Sequence, residues 1–155
     1  NWLVDGYSGR SSNAAYASLE KCLMHGKPKY VLWCMGMNDP DSQTAINSAW
    51  KNCAERLIAL CESKNIIPIF CTVPTCTGGQ VADTDISKFR NHAFKNAYIR
   101  DSGYRYVDIA KAVGSNDSDG TWYTGMLSGD GVHPAGNGQQ AITYRIIADV
   151  PEVME

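Results

Sequence analysis

The stretch that most constrains the fold runs from Lys29 to Pro40, KYVLWCMGMNDP. Tyr30 to Met35 is an unbroken apolar run of strand length. It stops at Gly36 and is followed by Asn38-Asp39. A continuous apolar run bounded by turn residues fits a strand buried on both faces, the situation of a parallel sheet covered by helices. Ligands of open parallel sheets bind beyond the carboxyl ends of the strands. Asn38 stands at such an end, where its amide can donate a hydrogen bond into a cleft.

The remaining segments alternate around that run. Trp2-Leu3-Val4 reads as a short strand entering the glycine turn Asp5-Gly6-Tyr7-Ser8-Gly9. Ser11 or Ser12 can cap a helix with Ala15, Leu19, Cys22 and Leu23 in its apolar phase; Gly26 and Pro28 stop it. After the strand at 29–36, Pro40-Asp41-Ser42 opens a helix with Ile46, Ala49, Trp50, Cys53, Leu57, Ile58 and Cys61 at three-four spacing. Residues 66–73 form the next strand, with Pro68 as a mild objection because proline lacks a ladder donor. A polar loop spans 75–84. Ile86, Phe89, Ala93, Phe94, Ala97 and Tyr98 mark a third helix, and Tyr104 to Ile109 a further strand. Residues 114–131 make a long Gly-, Ser- and Asp-rich loop carrying Trp122, Tyr123, Met126 and Leu127, the kind of loop that carries function. Pro134 begins a last helix with Ala141, Ile142, Ile146 and Ile147. The βαβαβαβα alternation implies an α/β protein, a parallel sheet with helices on both faces.

Composition removes several classes of function. At 155 residues and 44% apolar content the chain is read as one domain, residues 1–155, with room for a sizeable core. A net charge of −2 without any basic cluster gives no electrostatic case for nucleic acid. No apolar run reaches transmembrane length, and residue 1 begins no signal peptide; cytoplasmic and secreted locations both stay open. The six cysteines fall mostly at apolar phases, so they read as small hydrophobes rather than a disulfide framework. No CxxC occurs and the three histidines lack ligand spacing, which argues against structural zinc.

Three short segments should meet at one edge of the sheet: Gly6-Tyr7-Ser8-Gly9, Gly36-Met37-Asn38-Asp39 and Asp130-Gly131-Val132-His133-Pro134. An Asp three residues before a His in a tight turn can bring its carboxylate to the imidazole Nδ1, leaving Nε2 as a general base. The Gly9 backbone N–H and the Asn38 amide can serve a developing oxyanion. Taken singly, each has a plainer reading. Asp130 and His133 can form a polar turn, Asn38-Asp39 a turn and helix cap, and the glycines ordinary strand-to-helix turns. Trp122 and Tyr123 can be surface-covering aromatics. The joint placement is what points to catalysis.

The chain resembles the SGNH hydrolases, also called the GDSL esterase/lipase family. Gly36-Met37-Asn38-Asp39 matches its GxND block, and Asp130-Gly131-Val132-His133-Pro134 its DGxHP block, which carries the Asp and His of the triad. Tyr7-Ser8-Gly9-Arg10-Ser11-Ser12 looks like the block whose glycine serves the oxyanion hole. Gly9 and Asn38 stand 29 residues apart, room for one helix and one strand. The resemblance implies a three-layer α/β/α sandwich with a flavodoxin-like parallel sheet in order 2-1-3-4-5. It also implies a serine esterase needing no metal or organic cofactor. His133 would be the base, Asp130 its orienting group, and Gly9 with Asn38 the oxyanion hole.

The family's nucleophile is the Ser of a Gly-Asp-Ser block at the end of the first strand, and no such tripeptide occurs here. Asp5-Gly6-Tyr7-Ser8 is the nearest string, but Ser8 fits the glycine block better. The expectation is that the first βα unit, with the nucleophilic Ser, lies upstream of Asn1 or is supplied as a separate chain. A vacant central strand would orphan buried backbone groups, each costing on the order of 1–3 kcal/mol, and a βα unit needs roughly 30 or more residues. The expected substrate is a small acyl ester. Trp122-Tyr123 leans it towards an O-acetylated carbohydrate, since indole faces stack on sugar rings. A lipid acyl ester or thioester is the near alternative. A non-catalytic glycan- or ligand-binding relative on the same scaffold is the alternative of another class. Flavodoxin-like binding of a phosphate or flavin lacks a GxGxxG or Walker lysine to support it, and a receiver domain would need a lysine near the end of its last strand, which here ends Val107-Asp108-Ile109.

Overall fold

The computed structural model describes residues 4–39, 49–78 and 92–154. In chain order these form α1 (Ser12–His25), β1 (Tyr30–Trp33), α2 (Ala49–Ser63), β2 (Ile67–Cys71), α3 (Ala93–Asp101), β3 (Arg105–Val107), the single turn α4 (Ile109–Ala112) and α5 (Gly136–Asp149). A 3-10 turn over Pro151–Val153 follows. The strands make one parallel sheet in the order β1-β2-β3, with Trp33 opposite Phe70 and Cys71 opposite Val107. Parallel neighbours need crossover connections; α2 and α3 lie within them.

Side-chain alternation along the strands builds the three layers. Val31, Trp33 and Phe70 face one side, where they pack with Ala15, Tyr16 and Leu23 of α1 and Trp50, Cys53, Leu57 and Cys61 of α2. Ile69, Cys71 and Val107 face the other, against Val150 and the half-buried Ile142 and Ile146 of α5. Each large side chain so buried contributes about 1.5–3 kcal/mol. The layer beneath α5 is thinner. Only Gly138 of that helix is fully buried, and Tyr144 and Ile147 are exposed. β1 carries no strand on its outer edge among the described residues.

Several elements differ from the sequence reading. The expected strand at Trp2-Leu3-Val4 falls mostly on residues 1–3, which lie outside the described residues; Val4 itself is exposed coil. Residues 40–48 and 79–91 also lie outside them, with the expected helix starts at Pro40 and Ile86. The strand over 29–36 shrinks to Tyr30–Trp33, because Gly36 turns the chain at φ +139°. The strand to Ile109 ends at Val107, and Asp108 caps α4 instead by accepting from Lys111 N–H. Asp108 also accepts from Thr72 Oγ1 and from Arg100, which binds both its oxygens. Burial pushes this carboxyl up, but Arg100 and the two other donors outweigh it and hold it below the usual value.

Pro68 sits inside β2 without costing a ladder bond. Ile67 N–H points to Lys29 O on the β1 side, and Thr72 N–H points to Val107 O on the β3 side. Alternation therefore aims the Pro68 nitrogen at β3, whose pairing begins only at Ile69–Arg105.

α3 is rotated relative to its apolar phase. Its buried positions are Lys95, Asn96 and Ile99, while Ala97 is exposed and Ala93, Phe94 and Tyr98 are half-buried. The reason is local: the first turn of α3 is tucked under the strand ends, where polar side chains meet backbone groups.

All six cysteines are free. Cys53 and Cys61 are fully buried in α2. Burial, seconded by the charge of Asp39 for Cys53 and of Glu62 for Cys61, pushes both thiols up to about 11. At pH 8 only about one in a thousand of each is then ionised, so iodoacetamide should leave both unmodified until the protein unfolds. Native-state alkylation of either at a free-thiol rate, mapped by mass spectrometry, would contradict the α2 packing. Cys34 lies within the apolar run from Tyr30 to Met35, yet it is exposed, because it lies past the end of β1. Its sulfur is 2.9 Å from that of buried Cys71. The hydrogen bond between them favours one thiolate: Cys34 is lowered and Cys71 raised.

Candidate active site

The segment 126–135 closes on itself ahead of α5. Leu127 and Pro134 form an antiparallel bridge, Ser128 N–H donates to His133 O, and Ala135 N–H donates to Met126 O. The turn inside this loop presents Asp130 and His133. Asp130 Oδ2 lies 2.6 Å from His133 Nδ1, while Oδ1 accepts from Ser128 Oγ (2.6 Å), Val132 N–H (2.8 Å) and His133 N–H (2.9 Å). The Ser128 hydroxyl leads these donors in holding the Asp130 carboxyl well below the usual carboxylate range. Asp130 is thus an anion, and it assigns the His133 ring hydrogen to Nδ1 and leaves Nε2 as the acceptor. Both side chains are exposed. Gly131 permits the turn: its φ is +72°, and a Cβ there would sit 2.8 Å from Gly78 N and from Thr77 Oγ1.

The second segment is the turn over Gly36–Asp39 at the end of β1. A Cβ on Gly36 would meet Val73 at 2.7 Å and Trp50 Nε1 at 3.0 Å, so this position has room only for glycine. Trp50 Nε1 donates to Met35 O at 3.2 Å. Asn38 is exposed at the tip, and its Nδ2 donates to Arg10 O at 3.3 Å. The third segment, Tyr7–Arg10, is a turn with Gly9 at φ +71° and Arg10 N–H on Tyr7 O. The Arg10 guanidinium stacks 3.8 Å over the Tyr7 ring and pairs with Asp5 at 3.3 Å. Ser8 is exposed in this turn.

A chain of contacts joins the three. Asn38 reaches Arg10; Cys76 Sγ lies 3.5 Å from Met37 Sδ and 3.7 Å from Gly78 O; Gly78 N–H donates to Gly131 O at 2.8 Å. The loop after β2 is therefore the bridge between the Asn38 turn and the Asp130–His133 turn. Sequence reasoning assigned that loop no role. Asp39 can be read from the sequence as part of a local turn and helix cap. It is a cap, but of the distant helix α1: its buried carboxylate accepts from Ser12 N–H at 3.1 and 3.2 Å and from Ser12 Oγ at 2.6 Å. The N-cap residue Ser11 makes no side-chain cap bond of its own. Asp39→Ala should cost about 2–3 kcal/mol of unfolding free energy. Urea denaturation showing a loss under about 0.5 kcal/mol would mean that α1 does not depend on this carboxylate.

Trp122 and Tyr123 are placed apart from the dyad's own bonds. Trp122 is half-buried and its Nε1 donates to Thr75 O at 2.6 Å, so the indole N–H pins the long loop to the end of β2. Thr75 is further held by Ser115 and Asp117. Tyr123 is exposed, lies against Gly114, and lines a cavity of about 510 Å³ with Arg100, Lys111 and Asp117. Among the described residues no group of three or more His, Cys, Asp or Glu could hold a metal ion. No described helix is long and apolar enough to cross a membrane.

Helices cover a parallel sheet in an α/β/α arrangement, with a carboxylate–imidazole pair and an asparagine turn at its carboxyl edge. That fold is the one seen in the SGNH (GDSL) hydrolases. A GDSL-like lipase from Bacteroides thetaiotaomicron superposes with a TM-score of 0.72 at 16% identity, covering 96% of this chain and 75% of its own. A protein described as an acylhydrolase from Bacteroides fragilis gives 0.74 at 16% identity, over 97% of this chain and 74% of its own. An acetylxylan esterase from Geobacillus stearothermophilus gives 0.63 at 20% identity, over 95% and 70%. No protein-family model and no curated protein matches the chain.

Proposed function

We propose that the complete protein is a serine esterase of small acyl esters. The observation that carries this reading is the Asp130–His133 pair, 2.6 Å apart and joined by contiguous contacts to Asn38 and the Gly9 turn. A serine hydroxyl attacks the acyl carbonyl, His133 Nε2 takes its proton and returns it to the leaving alcohol, and Asp130 keeps the imidazole in the required tautomer. The tetrahedral oxyanion is held by the Asn38 amide and the Gly9 N–H, together with the N–H of the serine itself. Water then repeats the sequence on the acyl-enzyme.

The nucleophile is assigned to a segment upstream of Asn1, or a separate chain, that adds a strand to the outer edge of β1. Support comes from that edge, which carries no strand among the described residues, from the exposed Cys34 beside it, and from the thin layer under α5. Ser8 is not favoured, because it shares the turn that presents Gly9. The substrate class is an O-acetylated carbohydrate. The presence of an acetylxylan esterase among the similar structures supports it, as does the half-exposed Trp122 face. A lipid acyl ester is the second reading, which the likeness to a GDSL-like lipase supports. A fluorophosphonate probe on the complete protein, mapped by tandem mass spectrometry, decides the mechanism. The expected adduct is on a serine upstream of Asn1. An adduct on Ser8 relocates the nucleophile, and absence of any adduct favours a non-catalytic binder. Turnover of acetyl against decanoyl p-nitrophenyl esters then separates the two substrate classes.

A further inference from the structure

Three polar side chains at the start of α3, His92, Lys95 and Asn96, are 0%, 0% and 1% exposed. Asn96 clamps the end of β2, accepting from Val73 N–H at 2.7 Å and donating to Val73 O at 2.9 Å. Lys95 does something similar for the end of β1. Its Nζ donates to Gly36 O at 2.8 Å and to Asp39 O at 3.4 Å, and lies 3.1 Å from His92 Nδ1. The two carbonyls bracket Met37 and Asn38.

Burying an ammonium is costly unless strong hydrogen bonds offset its lost hydration. A methionine would fill nearly the same volume without that cost. What lysine adds is a pair of charge-assisted donors on the backbone of this turn. The turn needs them. Asp39 N–H reaches Gly36 O only at 3.4 Å, and Gly36 is a flexible residue held at φ +139°. Met35 O is fixed by Trp50 and the Asp39 carboxylate by Ser12, and Lys95 adds two bonds to the backbone between them. We infer that Lys95 is a positioning residue for the oxyanion donor: its ammonium ties Gly36 O and Asp39 O and thereby fixes where the Asn38 amide points. The role of Asn38 in this inference rests on the esterase reading above; the mechanical link between Lys95 and Asn38 does not.

The test uses the complete protein with Lys95→Met and Lys95→Arg, each alone and combined with Asn38→Ala. The first readout is the Asn38 side-chain amide signal in asparagine-selective ¹⁵N spectra, identified by its loss in Asn38→Ala. The second is kcat and KM on p-nitrophenyl acetate. Lys95→Met is expected to shift or broaden the Asn38 signal and to lower kcat about 10–100-fold with KM changed less than about twofold. In the Asn38→Ala background the same change should cost under about twofold, because coupled residues are not additive. Lys95→Arg keeps the cation and should restore part of kcat; it also decides the matter if the methionine variant does not fold. An Asn38 signal unmoved in a folded Lys95 variant overturns the inference, as does a loss that multiplies with that of Asn38→Ala. If the signal moves but the parent protein cleaves no ester and takes no fluorophosphonate, the positioning link stands and the esterase reading fails.

Discussion

His133→Ala should lower kcat of the complete protein on the order of 10⁴–10⁶-fold, with the fold intact. The size follows from the two duties proposed for the imidazole, removing the proton from the nucleophile and delivering it to the leaving group. The absence of a structural penalty follows from where His133 stands. Its side chain is exposed, and its ring contact is to Asp130, whose other oxygen keeps the bonds from Ser128 and Val132. The backbone bonds that close the loop, Ser128 N–H to His133 O and Ala135 N–H to Met126 O, do not involve the ring. Circular dichroism and Tm should therefore match the parent while turnover disappears. A folded His133→Ala protein with parental kcat would exclude the triad as assigned here. Fluorophosphonate labelling should slow in parallel, because the probe needs the same activated hydroxyl.

How much of this was legible in the sequence depends on range. The β1 run and the α2 periodicity were read from local pattern, and Trp50, Cys53, Leu57 and Cys61 are buried where three-four spacing puts them. Local pattern failed where side chains answer to distant backbone. In α3 the apolar phase named Ala97, yet the helix turns Lys95 and Asn96 inwards because the ends of β1 and β2 offer carbonyls and an N–H there. Polar residues at i, i+3 and i+4, here His92, Lys95 and Asn96, were the available signal, and a period search scores them as a solvent face. Asp39 was read as a local turn or cap, but its partner Ser12 is 27 residues away. Strand lengths were overestimated because apolar content continues past the point where pairing stops, at Cys34 and Met35 after β1 and at Ile109, beyond the capping Asp108, after β3. At the site, the Asp-x-x-His and Gly-x-Asn-Asp spacings were visible as spacings. The bridge between them, Met37–Cys76 and Gly78–Gly131, was not, since nothing in the sequence pairs a loop after one strand with a turn some fifty residues on.

Asn38→Ala should lower kcat about 10²–10³-fold, equivalent to roughly 2.7–4 kcal/mol of transition-state stabilisation, while KM changes little. The asymmetry comes from timing: in the proposed role the amide would meet full negative charge only in the tetrahedral state, so a ground-state ester would gain little from it. Stability should fall only slightly. Asn38 is exposed, and the bond it gives to Arg10 O is long at 3.3 Å, whereas the turn is secured by Lys95, Trp50 and the Asp39 carboxylate. The neighbouring Asp39→Ala should behave in the opposite sense, losing stability first and activity only as α1 and the Gly9 turn loosen. The two adjacent substitutions thus separate chemistry from scaffolding within one tetrapeptide. Steady-state kinetics on an acetyl ester beside urea melts of both variants is the comparison required. If Asn38→Ala keeps its kcat and loses stability as Asp39→Ala does, Asn38 is a turn residue, and the oxyanion donor must be sought among the backbone N–H groups around Gly9.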